Sequence, residues 1–363
     1  MRHFCTVALY CAAELAAASI PARATDYAGK TVKVIVNFGV GGSTDLDARM
    51  LVRHLPRFIP GYPTILVQNM PGAGGSVGAN WLGEVAKPDG LTIGYLGGVA
   101  NKAALQTKDI RADFRKLAFI GTVSGLNVTY VRKDILPKLD KPEDFLKADG
   151  FWIGGLSPDS NKDIRVRMQL DLLGLNYHYL SGYAGSADAR LAFKRKEIQL
   201  YSEALGTYLM SIGPELVRGG EAIPLWYDPL FKDGMSYRSA DTETIPAQPF
   251  DEFITRVKGS PPQGQLWDAY KLATKFSTTF LYLIMMPPAT SGEDVKTIGS
   301  AIEQLSKDET YKAEARQASG TTPILATGKN TEEEFRDMLN PDPELKAFIN
   351  AYIEKGQKDV GKR

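Results

Sequence analysis

The chain has 363 residues, 44% of them hydrophobic, with 43 basic and 42 acidic side chains, two cysteines and three histidines. A charge this close to balance excludes a basic field for nucleic acid or anionic lipid. Both cysteines and His3 fall in the first 24 residues, and the two histidines beyond them cannot by themselves make the usual nitrogen and sulfur ligand sets for zinc or iron. The length suits two domains of about 150 residues.

Residues 1–24 read as an export leader. Arg2 and His3 precede an apolar stretch, Phe4 to Ile20, that is short for a bilayer span. Ala22-Arg23-Ala24 then places small residues where signal peptidase reads, so cleavage is expected after Ala24. Cys5 and Cys11 both fall in this leader, and neither follows the small residue that a lipid anchor requires. The exported chain would carry no thiol, so no disulfide would stabilise it. Losing Arg2, Arg23 and Glu14 brings its formal charge to zero.

Val32 to Phe38 is β-branched and almost continuously apolar, the pattern of a buried parallel strand. Gly39-Val40-Gly41-Gly42 breaks it, and Ser43 or Thr44 is expected to cap a helix running from about Asp45 to Leu55. The unit recurs: a strand over Thr64 to Gln68, a Gly-rich turn at 71–76, and a helix from about Ser76 to Ala86. A strand over Leu91 to Leu96 and a helix from about Asn101 follow. A boundary is expected near Thr129 to Arg132. Beyond it, strands at Phe151 to Ile153, Tyr177 to Leu180 and Ile198 to Ser202 alternate with helices at Ile164 to Leu173 and Ala187 to Lys194. Asp233 to Gln248 is polar and reads as an excursion. Leu281 to Met286 reads as a buried strand, with helices at Val295 to Ser306, Glu309 to Ser319 and Thr331 to Leu339. Strands and helices alternating through short Gly-rich turns predict parallel sheets covered on both faces.

The Gly-rich turns at 39–44, 71–76, 97–101, 154–160 and 182–186 carry the chemistry. A strand that ends in glycine before a helix start leaves backbone N–H groups unpaired, at the positive end of the helix dipole. In open α/β sheets, ligands bind at the strand carboxyl ends. Two lobes with facing edges would present such amides on both sides of one cleft, which suits a molecule with one or two carboxylates. Arg49, Arg165 and Arg167 are further candidate anion partners. Asp45 is explained equally well by favourable placement in a first helical turn.

Phe38 to Arg49 (Phe-Gly-Val-Gly-Gly-Ser-Thr-Asp-Leu-Asp-Ala-Arg) resembles the signature of the receptors of tripartite tricarboxylate transporters, also called Bug proteins. Gln68 to Ala79 is similar to that family's second block and Lys87 to Thr92 to its third, in order and at fitting spacing. Gly154 to Ser160, Gly182 to Ala187 and Leu283 to Lys296 resemble later blocks, with Asn37, Pro158, Asp159 and Ala184 departing from the usual residues. The resemblance implies an α/β, two-lobed, type II periplasmic-binding-protein fold of the Venus-flytrap kind, with parallel or mixed sheets and a hinge. The expected division is lobe 1 over 25–128 plus 249–363 and lobe 2 over 129–248. It further implies a monomeric periplasmic receptor without cofactor, metal or catalytic residue. Such a receptor takes a small carboxylate, a di- or tricarboxylate or an aromatic acid, and passes it to integral-membrane transporter subunits that it meets transiently. The expected ligand-binding residues are Phe38, Val40, Gly41, Ser43, Thr44, Asp45 and Asn101 in lobe 1. In lobe 2 they are Ser157, Asp159, Ser160, Tyr183, Gly185 and Ser186. Tyr183, Tyr201, Trp152 and Phe38 read either as core or as the walls of an aromatic-acid pocket.

The rival from another class is an exported α/β-hydrolase. Gly74-Gly75-Ser76-Val77-Gly78 matches the nucleophile elbow, with Ser76 as nucleophile. The triad order then leaves only His178 downstream.

Overall fold

A computed structural model describes residues 25–232, 235–238 and 245–361. The expected leader and part of the polar excursion lie outside the described residues. In chain order the elements are β1 (Thr31–Val36), α1 (Ser43–His54), β2 (Thr64–Asn69), α2 (Ser76–Glu84), β3 (Thr92–Gly97), α3 (Ala100–Leu105), β4 (Ala118–Ser124) and β5 (Asn127–Arg132). Then come β6 (Phe151–Gly155), α4 (Asn161–Leu173), β7 (Tyr177–Ser181), α5 (Ser186–Lys194), β8 (Leu200–Ala204), a short α6 (Leu205–Thr207) continued by a π-wound segment (Tyr208–Val217), and β9 (Ala222–Tyr227). The remainder is β10 (Leu230–Lys232), β11 (Met235–Tyr237), β12 (Gln248–Pro249), α7 (Phe250–Lys258), α8 (Gln265–Thr278), β13 (Tyr282–Met286), α9 (Gly292–Lys307), α10 (Glu309–Ser319), β14 (Ile324–Thr327), α11 (Lys329–Met338) and α12 (Pro343–Asp359).

Two six-stranded sheets carry the molecule. The first has the order β14-β4-β13-β3-β1-β2 and the second β12-β9-β5-β8-β6-β7. β1 pairs in parallel with β2 and β3, and β6 with β7 and β8, as the βαβ pattern predicts. β13 runs antiparallel to β3 and β4, and β5 antiparallel to β8 and β9. The mixture has a topological cause. β4 leads through Gly125 and Leu126 directly into β5 of the other sheet, and β13 re-enters the first sheet after α8, so the strand that enters each sheet from the other one, β5 or β13, opposes the locally wound units.

Helix α1, α9 and α10 residues (Leu51, Ile298, Tyr311) bury one face of the first sheet, and α2, α3 and α11 residues (Leu82, Ala104, Phe335) the other. Each large aliphatic or phenylalanine side chain fully buried in this way contributes about 1.5–3 kcal/mol. The second sheet is covered by a cluster around Trp226, Phe145 and Tyr270 and by another around Tyr130, Phe193 and Tyr208. The expected return to the first lobe at 249 comes later in the chain. Phe250, Phe253 and Ile254 of α7, Tyr270 of α8, and Ile349 and Ile353 of α12 all bury in the second sheet's core, where Trp226 gives their apolar faces a partner. α4 is another difference. It is buried on nearly every side, from Asn161 to Leu170, because α7 and α8 pack over it.

Candidate functional site

The turns at the carboxyl ends of β1, β6 and β7 meet between the two sheets. A methyl group placed on Gly42 would stand 3.9 Å from the Ser186 amide nitrogen, and one on Gly185 3.8 Å from that of Gly39. The starts of α1 and α5 therefore face each other from opposite sheets. Gly42 is the N-cap of α1 and Gly185 that of α5, and neither helix start has a side-chain cap. This corrects the expected capping by Ser43 or Thr44. Both lie inside the first turn, which leaves the opening amides of α1 unpaired by side chains. α4 is capped, by the Ser160 hydroxyl accepting from the Asp163 amide at 3.3 Å.

A cavity of about 60 Å³ lies among these helix starts. Phe38, Ser43 and Thr44 line it from one side, and Ser160, Lys162 and Ser186 from the other. Among the described residues, Lys162 is the one charged side chain in its wall. Its ammonium donates to the Ser186 hydroxyl at 2.8 Å and the Tyr201 hydroxyl at 3.0 Å, and lies 4.6 Å from the Tyr201 ring centroid. Burial pushes its pKa down to about 8, against the opposing pull of Glu203 and Asp163. Lys162, Asn127 and Tyr282 line the cavity but were missed in the sequence. Only the position of Lys162, directly after a Ser-capped turn, offered a signal.

Three polar side chains shape the loops around the cavity. Asn37, fully buried, donates to the carbonyls of Gly75 (3.1 Å) and Gly97 (2.8 Å) and accepts from the Gly97 amide (2.8 Å). It thereby pins three turns of the first sheet. Asp45 accepts from the Gly41 amide (2.9 Å), Asn69 (2.9 Å) and Arg49 (3.0 Å). Burial raises its carboxyl pKa, but these donors more than offset that and hold it below the usual range. Lys102, fully buried in α3, donates to Ala73 O (2.9 Å), Ser76 Oγ (3.2 Å) and Asp109 (2.6 Å), and pairs with Asp159 (2.9 Å). The last contact joins the first sheet's helix layer to the β6–α4 turn of the second sheet.

Several expected site residues thus have other partners. The Asp45 carboxylate serves its own loop. Asp159 is taken by Lys102 and by the Ser157 hydroxyl at 2.5 Å, and Asn101 donates to the Asp159 carbonyl at 2.7 Å. Val40 is 70% exposed, and Tyr183 packs beside the Tyr130 cluster. Gly41 and Gly185 shape the turns through their backbone. Arg165 forms a buried pair with Asp228, and Arg167 lies between the rings of Tyr179 and Tyr352. Trp152 and Tyr201 belong with the core. A second cavity of about 310 Å³ adjoins the first and shares Ser43, Ala204, Leu281 and Tyr282 with it.

The hydrolase reading fails on geometry. Ser76 opens α2 after a glycine turn, as an elbow would, yet it is fully buried and donates to Asp109 at 2.5 Å. His54 sits against Tyr311 and Glu314, and His178 stacks on Trp152. Among the described residues, no three His, Cys, Asp or Glu side chains cluster so as to hold a metal ion.

No family model matches the chain. It is 35% identical over 104 residues to a UPF0065 protein of Bordetella bronchiseptica, covering 28% of this chain and 30% of that one. It is 41% identical over 73 residues to the protein BugT of Bordetella pertussis, covering 20% and 22%. The chain thus spans less than a third of the length of these curated relatives. Among solved structures, the periplasmic binding protein BugD matches with a TM-score of 0.63 at 19% identity, over 92% of this chain and 98% of that one. An R. palustris protein solved with adipate matches at 0.65 and 16% identity, over 93% and 99%. MatC from Rhodopseudomonas palustris with bound malate matches at 0.60 and 17%, over 91% and 99%. These likenesses establish the two-lobed periplasmic-binding-protein fold. Over part of its length the chain is similar in sequence to the UPF0065 proteins and BugT, and over nearly all of it the chain shares the fold of the periplasmic binding protein BugD.

Proposed function

We propose that this chain is a periplasmic solute-binding receptor that captures a small carboxylate between its lobes, catalyses no reaction, and hands its ligand to a membrane transporter. The observation that carries the reading is the convergence of three helix starts, those of α1, α4 and α5, on one cavity whose wall holds a single ammonium group. Unpaired amides at helix starts stabilise an anion without any reactive side chain. The malate and adipate found in two proteins of this fold fit the same chemistry. The lobes would move about the three crossings, at Gly125–Leu126, at Thr279–Leu281 and between α11 and α12, with ligand favouring the closed state through contacts that only that state offers. Export through a leader ending at Ala24 and action as a monomer belong to the same reading.

The test is calorimetry and thermal shift of the purified protein with mono-, di-, tri- and aromatic carboxylates, beside Thr44→Trp. Wild type should gain thermal stability with at least one acid, and the indole at Thr44 should abolish that gain. Equal stabilisation of both proteins removes the α1 turn from the site.

A further inference from the structure

The cavity of about 60 Å³ offers room for only a few water-sized groups, since one such group needs about 10–15 Å³ by the same measure. It holds an acid head, not a whole ligand, whereas complete ligand pockets run to about 300–1,000 Å³. The adjoining cavity, about 310 Å³, falls in that range. Four lining residues are common to both, so the chambers adjoin beside Tyr282 and the Ser43–Thr207 hydrogen bond (3.0 Å).

The two chambers differ in chemistry. The inner one presents Lys162, Ser186 and the helix starts. The outer one is walled by Leu46, Met50, Leu205, Met210, Leu281 and Ile324. Leu46, Met210 and Ile324 are 40%, 48% and 44% exposed, large apolar side chains facing solvent unless something covers them. The charges of the outer wall do not invite a second carboxylate. Arg49 is paired with Asp45 and Arg53 with Glu314, so both guanidinium groups of this wall already face carboxylates.

We infer that the ligand is an amphipathic monocarboxylic acid, its carboxylate on Lys162 and Ser186 in the inner chamber and its apolar body in the outer one. The inference rests on the receptor reading above and narrows it: Lys162 sets the demand for one anionic head, and the chamber between α1, α10 and the 205–217 segment sets the demand for an apolar tail.

Calorimetry with acetate, butyrate, hexanoate, octanoate and phenylacetate, beside adipate and hexanamide, tests it. Affinity should rise up to about fourfold for each added methylene that is buried. Hexanoate should bind more tightly than adipate, and hexanamide should not bind. Ala318→Phe fills the outer chamber without touching the inner one, and should flatten the chain-length series towards the acetate value. Lys162→Met should weaken every acid at least tenfold. The wild-type series needs no variant, so it decides even if Ala318→Phe folds poorly. Acids that bind with no dependence on chain length, or adipate binding above hexanoate, would overturn the amphipathic-acid inference and leave the receptor reading standing. Undiminished acid binding by Lys162→Met would overturn the anchor. Binding of none of these acids, diacid included, would remove both.

Discussion

Replacing Lys102 by Met cuts the one buried cation that ties the two sheets' layers together around Asp109 and Asp159. An ammonium has three hydrogens, and four acceptors lie within 3.2 Å of this one, so none is idle. Breaking a buried pair by removing one partner costs about 3–5 kcal/mol, because the remaining charge is left uncompensated. Here the lower end applies. Asp109 keeps donors from Ser76 and Thr107, and Asp159 keeps Ser157, so neither carboxylate is fully stranded. The expected loss for Lys102→Met is about 3 kcal/mol, read by urea unfolding with the fluorescence of buried Trp226 as reporter. Adding Asp109→Asn and Asp159→Asn to Lys102→Met should recover most of it, since neutral amides remove the stranded charges. A loss below about 1 kcal/mol for the single variant, or no recovery in the triple one, would refute the assignment of this cluster as a cross-lobe tie.

Further predictions follow from single contacts. Gly356→Ala in α12 would ordinarily stabilise a helix by about 1 kcal/mol. Here the new methyl would lie 1.6 Å from a guanidinium nitrogen of Arg167, which two tyrosine rings hold in place, so a loss of about 1–3 kcal/mol in unfolding experiments is expected instead. Burial, only partly offset by the nearby Tyr95 hydroxyl, pushes the Asp47 carboxyl up to about 7. A carboxyl whose folded pKa is raised binds more protons when folded, so stability falls as pH rises from about 4 to 7. Asp47→Asn should therefore stabilise by about 1–2 kcal/mol at pH 8, after allowing for solvent screening, and change little at pH 4. The Lys162 ammonium, with its pKa near 8, is faced by Glu203, Asp163, Arg165 and Arg190. Carboxylate binding measured by calorimetry should weaken as pH rises from 7 to 9, and Lys162→Met should lose that dependence.

Much of the fold was legible in local pattern. The mostly apolar runs at Val32 to Phe38 and Leu91 to Leu96 became neighbouring parallel strands, because a strand covered by helices on both faces has little polar surface to show. The helix over Glu309–Ser319 lies where its period and its closing glycine put it. The elements not read are those whose faces are buried on several sides or that cross between sheets. β4 (Ala118–Ser124) and α7 (Phe250–Lys258) carry no turn signal that says which sheet they join, and α12 returns to the second sheet long after the chain has left it.

The candidate site divides in the same way. Local pattern alone located the glycine turns that precede helix starts, because glycine in such a turn is a backbone-level property, and Phe38, Ser43, Thr44, Ser160 and Ser186 do line the cavity. Packing between distant segments set which polar groups remain without a protein partner. Asp45, Asp159, Arg165 and Arg167 all read as candidate ligand partners in one dimension, yet Asp45 is held by its own loop and Asn69, Asp159 by Lys102, Arg165 by Asp228, and Arg167 by the Pro158 carbonyl and two tyrosine rings. Lys162 carries the opposite lesson. An unremarkable lysine at the start of a helix became the cavity's one cation because the folding of β6, α4 and β8 turned it inward beside Tyr201 and Ser186. Charge is written in the sequence, but whether it is neutralised depends on distances that only the folded chain sets.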